Sequence, residues 1–474
     1  MNILEAEILH PMELWLVDIN PYSLKLTDYI MKSMAYLHKK RIEVKSTTER
    51  KEALPNADYV LISLSVGMQE TEWYDIHIPL KFGMPQNTGD TVGPGGILRG
   101  VRTVPVIYEM LKDINELCPN AIVLNYTNPQ GTTMLGAKQA AQNVQSIGLC
   151  HEFFSMGTKK FARFLHFCGV ELAKGKEIKL LYGGLNHFAW VTKFEYDGKD
   201  IYPQMREKAK EAYETGKFGR PYNYYILDKY GYLNYVEDRH ITEFLPRYYN
   251  YFNHNDKPFG ITPLRNVMSI NRQRRFVYSA FRLLNWRTSA WIIKFGLRPM
   301  AGGEKALMMV KDLVRNIPRH HVCNVINNGT IPSLPDNCII EVPAYFKNGN
   351  LIPAKIGALP GLINDWVKVH AECQQLVVDA SLSGDPEDLL KALLADPMCQ
   401  FIEDDEKIED MMWNLLYYQA DWLPNFSESI LSHRDLLKRK YIVKKKELIT
   451  HKIAQKEKYS PKESIRAKSW PNVP

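Results

Sequence analysis

The chain is short of the features that mark secreted, membrane-spanning or nucleic-acid-reading proteins. It has no apolar run of ~18 residues or more, so no transmembrane helix is predicted. Its opening, MNILEAEILHPMELW, has neither a basic region nor a small-residue cleavage site, so no signal peptide is expected. Cysteine is sparse: the seven residues at 118, 150, 168, 323, 338, 373 and 399 show no disulfide spacing. A reduced, cytoplasmic setting is expected. There is no internal repeat and no long low-complexity linker. A positive excess is absent from the body of the chain, although the formal net charge is +7. Residues 434–474 hold 13 lysines and arginines against four acids, so the rest of the chain is slightly acidic. That tail could touch nucleic acid or anionic lipid. No aromatic and basic interleaving accompanies it, and a solvated end is the simpler reading. Neither a nucleic acid nor a membrane is expected as a partner.

What is present is alternation. Apolar, β-rich runs at 12–20, 57–67, 121–129 and 144–150 read as buried strands, with IEVKST a shorter one. Helical spacing fills 21–40 and the stretch VRTVPVIYEMLKDINELCP. Strands alternating with helices predict right-handed crossover units and a parallel sheet, in which ligands bind at the carboxyl ends of the strands. Gly67, Asn125, Asn128 and Cys150 all fall at such ends. Beyond residue 175 the pattern changes: a hairpin around Asp197 and Gly198, mostly helix from 200 to 320, strands joined by Gly, Asn and Pro turns from 320 to 353, then helix again. The expected class is α/β, with a Rossmann-like parallel sheet over 1–175 interlocked with an α+β half over 176–433, followed by the basic tail. A chain of 474 residues is long enough for two such units.

Several residues have the chemistry of a site, each with a plainer alternative. Asp18 ends a strand where dinucleotide folds place an acid on ribose hydroxyls, but strand-end acids are often turn residues. Gly93, Gly95 and Gly96 precede a helix; their amides could hold an anion or simply start the helix. Cys150 beside His151 offers thiolate and imidazole to a transition metal, although buried cysteines are usually inert. His187 lies between apolar residues and could be a satisfied interior histidine. Asp238, Arg239 and His240 form a polar knot whose default reading is a solvated turn. No one of these decides the function.

Taken in order, GDTVGPGG (89–96), NYTNP (125–129), GLCH (148–151), GLNH (184–187) and NNGTIPSLPDNCIIEVP (327–343) resemble glycoside hydrolase family 4. The likeness runs from about residue 8 to about 430. EDRHITEFLP (237–246) most resembles the α-galacturonidase branch. The arginine with which 6-phospho-glycosidases read phosphate should fall near Glu72 and is absent, and Asp238 stands in the region where they carry a tyrosine base. The resemblance therefore implies an unphosphorylated α-glycoside, an α-galacturonide first, with α-galactoside or α-glucoside as alternatives. It implies NAD and a divalent metal, Mn²⁺ foremost, in the cytoplasm, and a homodimer or homotetramer. The family oxidises C3 of the sugar with NAD⁺, removes the acidified C2 proton, eliminates the C1 substituent, adds water and returns the hydride. It does not use the carboxylate pair of ordinary glycosidases. By resemblance Cys150 and His187 are the metal ligands, leaving open positions for sugar oxygens. Asp238 is the expected C2 base and His151 an assistant to the leaving group. Asn128 is expected on the sugar, Arg99 or Arg239 on a uronate carboxylate, and Asp18, Gly67 and Asn125 on the cofactor.

Family members open with a strand, a glycine-rich phosphate loop and a helix ahead of the stretch matching residues 8–20. No GxGS-like sequence stands there. Two readings are open. Either coding sequence lies upstream of Met1, or the chain is shortened, in which case NAD binding and sheet edges are compromised. A catalytically silent protein of the same fold is the corresponding alternative function.

Overall fold

Short apolar runs bounded by Asn, Gly or Pro make the strands, and longer amphipathic stretches the helices. The computed structural model describes residues 9, 11–150, 159–234, 236–248 and 306–433. His151 and the tail 434–474 lie outside the described residues. The strands are β1 (Met12–Val17), β2 (Ile42–Thr47), β3 (Tyr59–Ile62), β4 (Ile122–Asn125), β5 (Ser146–Gly148), β6 (Ile178–Leu185), β7 (Phe188–Tyr196), β8 (Lys199–Asp200), β9 (Leu233–Asn234), β10 (His321–Ile326), β11 (Ile339–Lys347) and β12 (Asn350–Pro353). The helices used below are α1 (Pro21–Leu37), α2 (Met68–Lys81), α3 (Gly93–Leu117), α4 (Gln130–Ala140), α5 (Pro221–Tyr230), α6 (Asp238–Phe244), α7 (Gly361–Ser383) and α8 (Asp405–Tyr418).

Among the described residues one ten-stranded sheet runs β3-β4-β5-β10-β11-β6-β7-β8, with β12 on β11 and β9 on β7. The pairings β3–β4 and β4–β5 are parallel, as the alternation predicts, so the fold is α/β with a Rossmann-like parallel part. From β10 onward the neighbours are antiparallel. The two halves of the chain meet inside this sheet, because β10 from the late sequence pairs with β5. α7 likewise returns to pack on α3 and α4. β1 and β2 pair in parallel as a separate two-stranded sheet, and no described strand joins it to β3.

α3 starts earlier than its apolar pattern suggests. It takes in Gly93, Gly95 and Gly96, the plainer of the two alternatives for these glycines. The Gly93 amide donates to Asp396 Oδ2 at 3.0 Å and the Gly95 amide to Gln86 Oε1 at 2.8 Å. These amides are occupied by the protein's own side chains, which corrects the anion-holding expectation. The largest apolar cluster lies under β5, β6, β7, β10 and β11 and includes Phe164, Phe188, Trp190, Phe244 and Phe346. Its burial, at about 25 cal/mol per Å² of apolar area, supplies the main favourable contribution to folding and gives the site a rigid floor. Among the described residues no helix is long and apolar enough to cross a membrane.

Candidate metal and sugar site

Sheet register builds the site. Gly148 on β5 is the partner of Asn324 on β10, Asn324 of Glu341 on β11, and Glu341 of Gly184 on β6. This row crosses four strands. A Cβ at Gly148 would meet Asn324 Cβ at 2.8 Å and Gln130 Oε1 at 2.4 Å, so only glycine permits the approach. Cys150 follows Gly148 by two residues and His187 follows Gly184 by three. The row therefore delivers them together: Cys150 Sγ lies 3.4 Å from His187 Nε2. Asn186 Nδ2 and Asn324 Nδ2 both donate to Glu341 Oε2, at 2.7 and 2.9 Å, anchoring the turn that carries His187. His187 adopts φ +63, a left-handed conformation unusual outside glycine and common where a functional side chain is held in place.

The other ring nitrogen is held as well. Thr91 Oγ1 donates to Asp90 Oδ1 at 2.7 Å and lies 2.8 Å from His187 Nδ1. The hydroxyl has one proton, and an ionised carboxylate can only accept. Thr91 must then accept from Nδ1–H, which leaves the Nε2 lone pair facing Cys150. A carboxylate behind a metal-binding imidazole fixes its tautomer in this way, with Thr91 as the intermediary. Burial by itself would raise Asp90, but the His240 and His187 imidazoles and the Arg99 guanidinium outweigh it and hold the carboxyl well below the usual range. Asp90 also accepts from Asn128 Nδ2 at 3.2 Å, which puts Asn128 beside the cluster.

α6 is fastened to the Asp90 loop by consecutive contacts. Asn87 Nδ2 donates to Thr242 Oγ1 at 2.7 Å, and the Thr88 and Gly89 amides donate to Glu243 Oε1 at 2.6 and 3.0 Å. His240 on the same helix stacks on His187 with ring centroids 4.0 Å apart, and its Nδ1 lies 3.8 Å from Asp90 Oδ1. Asp90, His187 and His240 thus offer three donors within 4.8 Å of one another. Two cation positions are geometrically open: one between Cys150 and His187 Nε2, the other among Asp90, His187 and His240. His187 Nδ1 is engaged by Thr91, which favours the Cys150 side. Sequence reasoning passed over Asp90 and His240. Asp90 sat in a motif noticed for its glycines, and His240 in a segment that looked like a solvated turn; both are largely or fully buried.

Asp238, the expected base, is bonded in the structure to backbone amides. Its Oδ2 accepts from the Tyr222 amide at 2.8 Å and its Oδ1 from the Asn223 amide at 3.1 Å, so it closes the N-terminus of α5. Burial pushes its carboxyl up to about 7, against the pull of those amides and of Arg220. Arg239 pairs with Glu237 at 3.3 Å, and Arg99 with Glu72 at 3.3 Å, so neither arginine stands unopposed for a uronate. Asn125 turns inward. It accepts from the Thr127 amide at 3.0 Å and donates to Thr133 Oγ1 at 3.2 Å, shaping the turn that leads to the cis Asn128–Pro129 bond. Gly67 opens α2 at φ +73, where a Cβ would strike Thr71 Cγ2 at 2.1 Å. Asp18 is exposed at the end of β1 and accepts from the Asn20 amide.

The structure is an α/β sheet with a dinucleotide-type parallel part, beyond whose strand ends the Cys150 sulfur and the His187 imidazole converge. A family model for family 4 glycosyl hydrolases matches residues 1–166, and the model for that family's C-terminal domain matches 182–399. The chain belongs to glycosyl hydrolase family 4. It is 30% identical to an alpha-galactosidase of Bacillus subtilis, across 90% of this chain and 95% of that one. It is 28% identical to an alpha-galacturonidase of Thermoanaerobacter italicus, across 86% and 91%. Among solved structures it resembles a candidate glucosidase of Bacillus subtilis (TM-score 0.74, 27% identity, 87% of this chain and 96% of that one). The fold is also that of a 6-phospho-alpha-glucosidase from gut microorganisms, solved in complex with NAD and Mn²⁺ (TM-score 0.71, 18% identity, 89% and 96%).

Proposed function

We propose that the protein hydrolyses an unphosphorylated α-glycoside of galacto configuration, using NAD and a divalent ion, Mn²⁺ first. The observation that carries this reading is the convergence of Cys150 Sγ and His187 Nε2 with the Asp90–Thr91 relay behind the imidazole. The names of the two curated relatives, an alpha-galactosidase and an alpha-galacturonidase, support the sugar class.

The donor set suits the metal: one soft thiolate, one imidazole with its lone pair presented, and a buried carboxylate to offset charge. The cofactor fits in part. The parallel strands β3, β4 and β5 end together where a nicotinamide and sugar would meet, whereas β1 and β2 form a separate sheet. When bound, the nicotinamide supplies a reversible hydride acceptor and the ion supplies polarisation of sugar oxygens. The chain's own residues do the rest. Cys150 and His187 hold the ion. Thr91 and Asp90 keep His187 in one tautomer. Asn128 presents an amide to a sugar hydroxyl. His151, next to Cys150 in the chain, is the proposed proton-transfer group. Assembly as a dimer or tetramer belongs to the same proposal.

The test is cleavage of p-nitrophenyl α-galactoside and α-galacturonide by the purified protein with NAD⁺, Mn²⁺ and a thiol reductant. Turnover in D₂O should place deuterium at C2 of the released sugar. Activity that survives both Cys150→Ser and removal of NAD⁺ overturns the proposal.

A further inference from the structure

Two buried acceptors behind the His187 turn receive no proton from the protein. The first belongs to Asn186. Its Nδ2 donates to Glu341 Oε2 at 2.7 Å, and because a carboxylate oxygen accepts, the other side of the amide is Oδ1. Asn186 is 2% exposed, and among the described residues no donor reaches that oxygen. The second belongs to His370 on α7, which is 3% exposed. Its ring meets Phe188 and Phe244 edge-on, and its Nε2 lies 2.9 Å from the Phe244 carbonyl. A carbonyl oxygen accepts, so Nε2 carries the proton. Burial holds the imidazole below its ordinary value, and a neutral ring protonated at Nε2 keeps a lone pair on Nδ1. Among the described residues that lone pair has no donor either.

Asn186 and His370 line one cavity of about 30 Å³. The start of α3, the start of α4, the Asn186 turn, the end of α6 and one face of α7 enclose it, and every lining residue except Thr91 is buried. The other polar groups on the wall are engaged. Asp396 accepts from the Gly93 and Met398 amides at 3.0 and 2.8 Å, and the Cys373 thiol donates to the Ala395 carbonyl at 3.5 Å. A water molecule needs roughly 10–15 Å³ and two or more polar partners, and this space supplies both. Two acceptors on one wall call for a donor of two protons. A cation would meet two neutral acceptors and a mostly apolar surround, too little to replace its hydration.

We propose that this cavity is a binding site for a water molecule that donates to Asn186 Oδ1 and His370 Nδ1 and so braces the His187 turn against α7. Through the Phe244 carbonyl the same histidine holds the end of α6, so the water joins the elements that carry His187 and His240. The water site stands independently of the glycosidase reading; its effect on metal binding rests on His187 as a ligand.

The first test is a high-resolution crystal structure of the protein, repeated under xenon pressure. One solvent peak within hydrogen-bond distance of both acceptors, in a cavity that takes up no xenon, is the expected result. A cavity without that peak, or one that fills with xenon as dry apolar cavities do, overturns the site. The second test compares His370→Leu with His370→Asn. Neither variant reaches the Phe244 carbonyl, but the asparagine keeps an acceptor near the place of Nδ1, so the two differ in the water's partner. Mn²⁺ affinity, read by electron paramagnetic resonance, should fall roughly 2–10-fold in His370→Leu, the worth of one hydrogen bond, and return toward the wild-type value in His370→Asn. Equal losses in the two variants, or no loss in either, overturn the brace. If the wild type binds no Mn²⁺, the metal reading fails separately and crystals of His370→Leu decide: loss of the peak with a displaced Asn186 turn supports the brace, and an unmoved turn overturns it.

Discussion

Cys150 Sγ lies 3.4 Å from His187 Nε2 although the two residues come from separate strands with two others between them in the sheet. The separation is within reach of a thiol–imidazole hydrogen bond, and in the proposed function the same two atoms hold the divalent ion. Cys150→Ser should abolish tight Mn²⁺ binding, read from the free-ion signal in electron paramagnetic resonance, with little change in melting temperature. Retained binding with loss on Asp90→Asn would move the ion to the Asp90, His187 and His240 side.

Thr91→Val removes the hydroxyl that links Asp90 to His187 while keeping the side chain's shape. Mn²⁺ affinity should fall roughly 10–100-fold, as for other partners behind a metal-ligating histidine. Activity should recover in large part at saturating Mn²⁺. Unchanged affinity would show that His187 is oriented by its turn and its stacking on His240 alone.

For Asp238 a loss of stability is expected rather than a loss of chemistry. Asp238→Ala leaves the Tyr222 and Asn223 amides unpartnered at the start of α5 and should cost about 1–2 kcal/mol. kcat of the folded fraction should stay within a few-fold of the wild type. A drop of several orders in kcat with an unchanged urea midpoint would return Asp238 to the role of base.

Much of this was legible in the chain. β3, β4 and β5 follow from apolar runs bounded by Gly, Asn and Pro, the turn of β7 into β8 from Asp197 and Gly198, and Cys150 and His187 stand in motifs that named their chemistry. Other parts had no local signal. That β10 inserts beside β5 depends on pairing between segments some 170 residues apart in the chain, which no periodicity encodes. Nor does a helix start at Gly93 look like one, because three glycines lower helix propensity and only Asp396 and Gln86, distant or offset in sequence, satisfy the amides. The partners of Asp238, the Tyr222 and Asn223 amides, had no local signal either, since they are known only once α5 is placed.

The Asp75–Arg102 pair sits between α2, α3 and α8 with both side chains almost fully buried. Arg102→Ala strands an ionised carboxylate beside Gln419 and should destabilise by about 3–5 kcal/mol. The double change Asp75→Leu with Arg102→Met removes both charges and should recover most of that loss in urea unfolding. Recovery that fails would mean that the contacts of Arg102 with Gln419 and Val66, and not the charge pair, hold α2 and α3 together here.

Glu243 links stability to pH. Its carboxylate is buried under the Asp90 loop, and burial pushes it up to about 7 from 4.5, against the Thr88 and Gly89 amides and with the help of Asp90's charge. A folded-state value above the unfolded one means that the native protein holds a proton the unfolded chain has released. The associated stability is full below pH ~4.5 and is lost as pH rises through ~7, by at most about 3 kcal/mol at 1.36 kcal/mol per unit. Glu243→Gln keeps an oxygen for both amides and cannot ionise. Its urea midpoint should therefore change less between pH 5 and pH 8, with the variant gaining on the wild type as pH rises. Parallel curves would mean that the two amide bonds outweigh burial and keep Glu243 ionised throughout. In that case its contacts with residues 88 and 89, which hold His240 against Asp90, would be equally firm at both ends of the range.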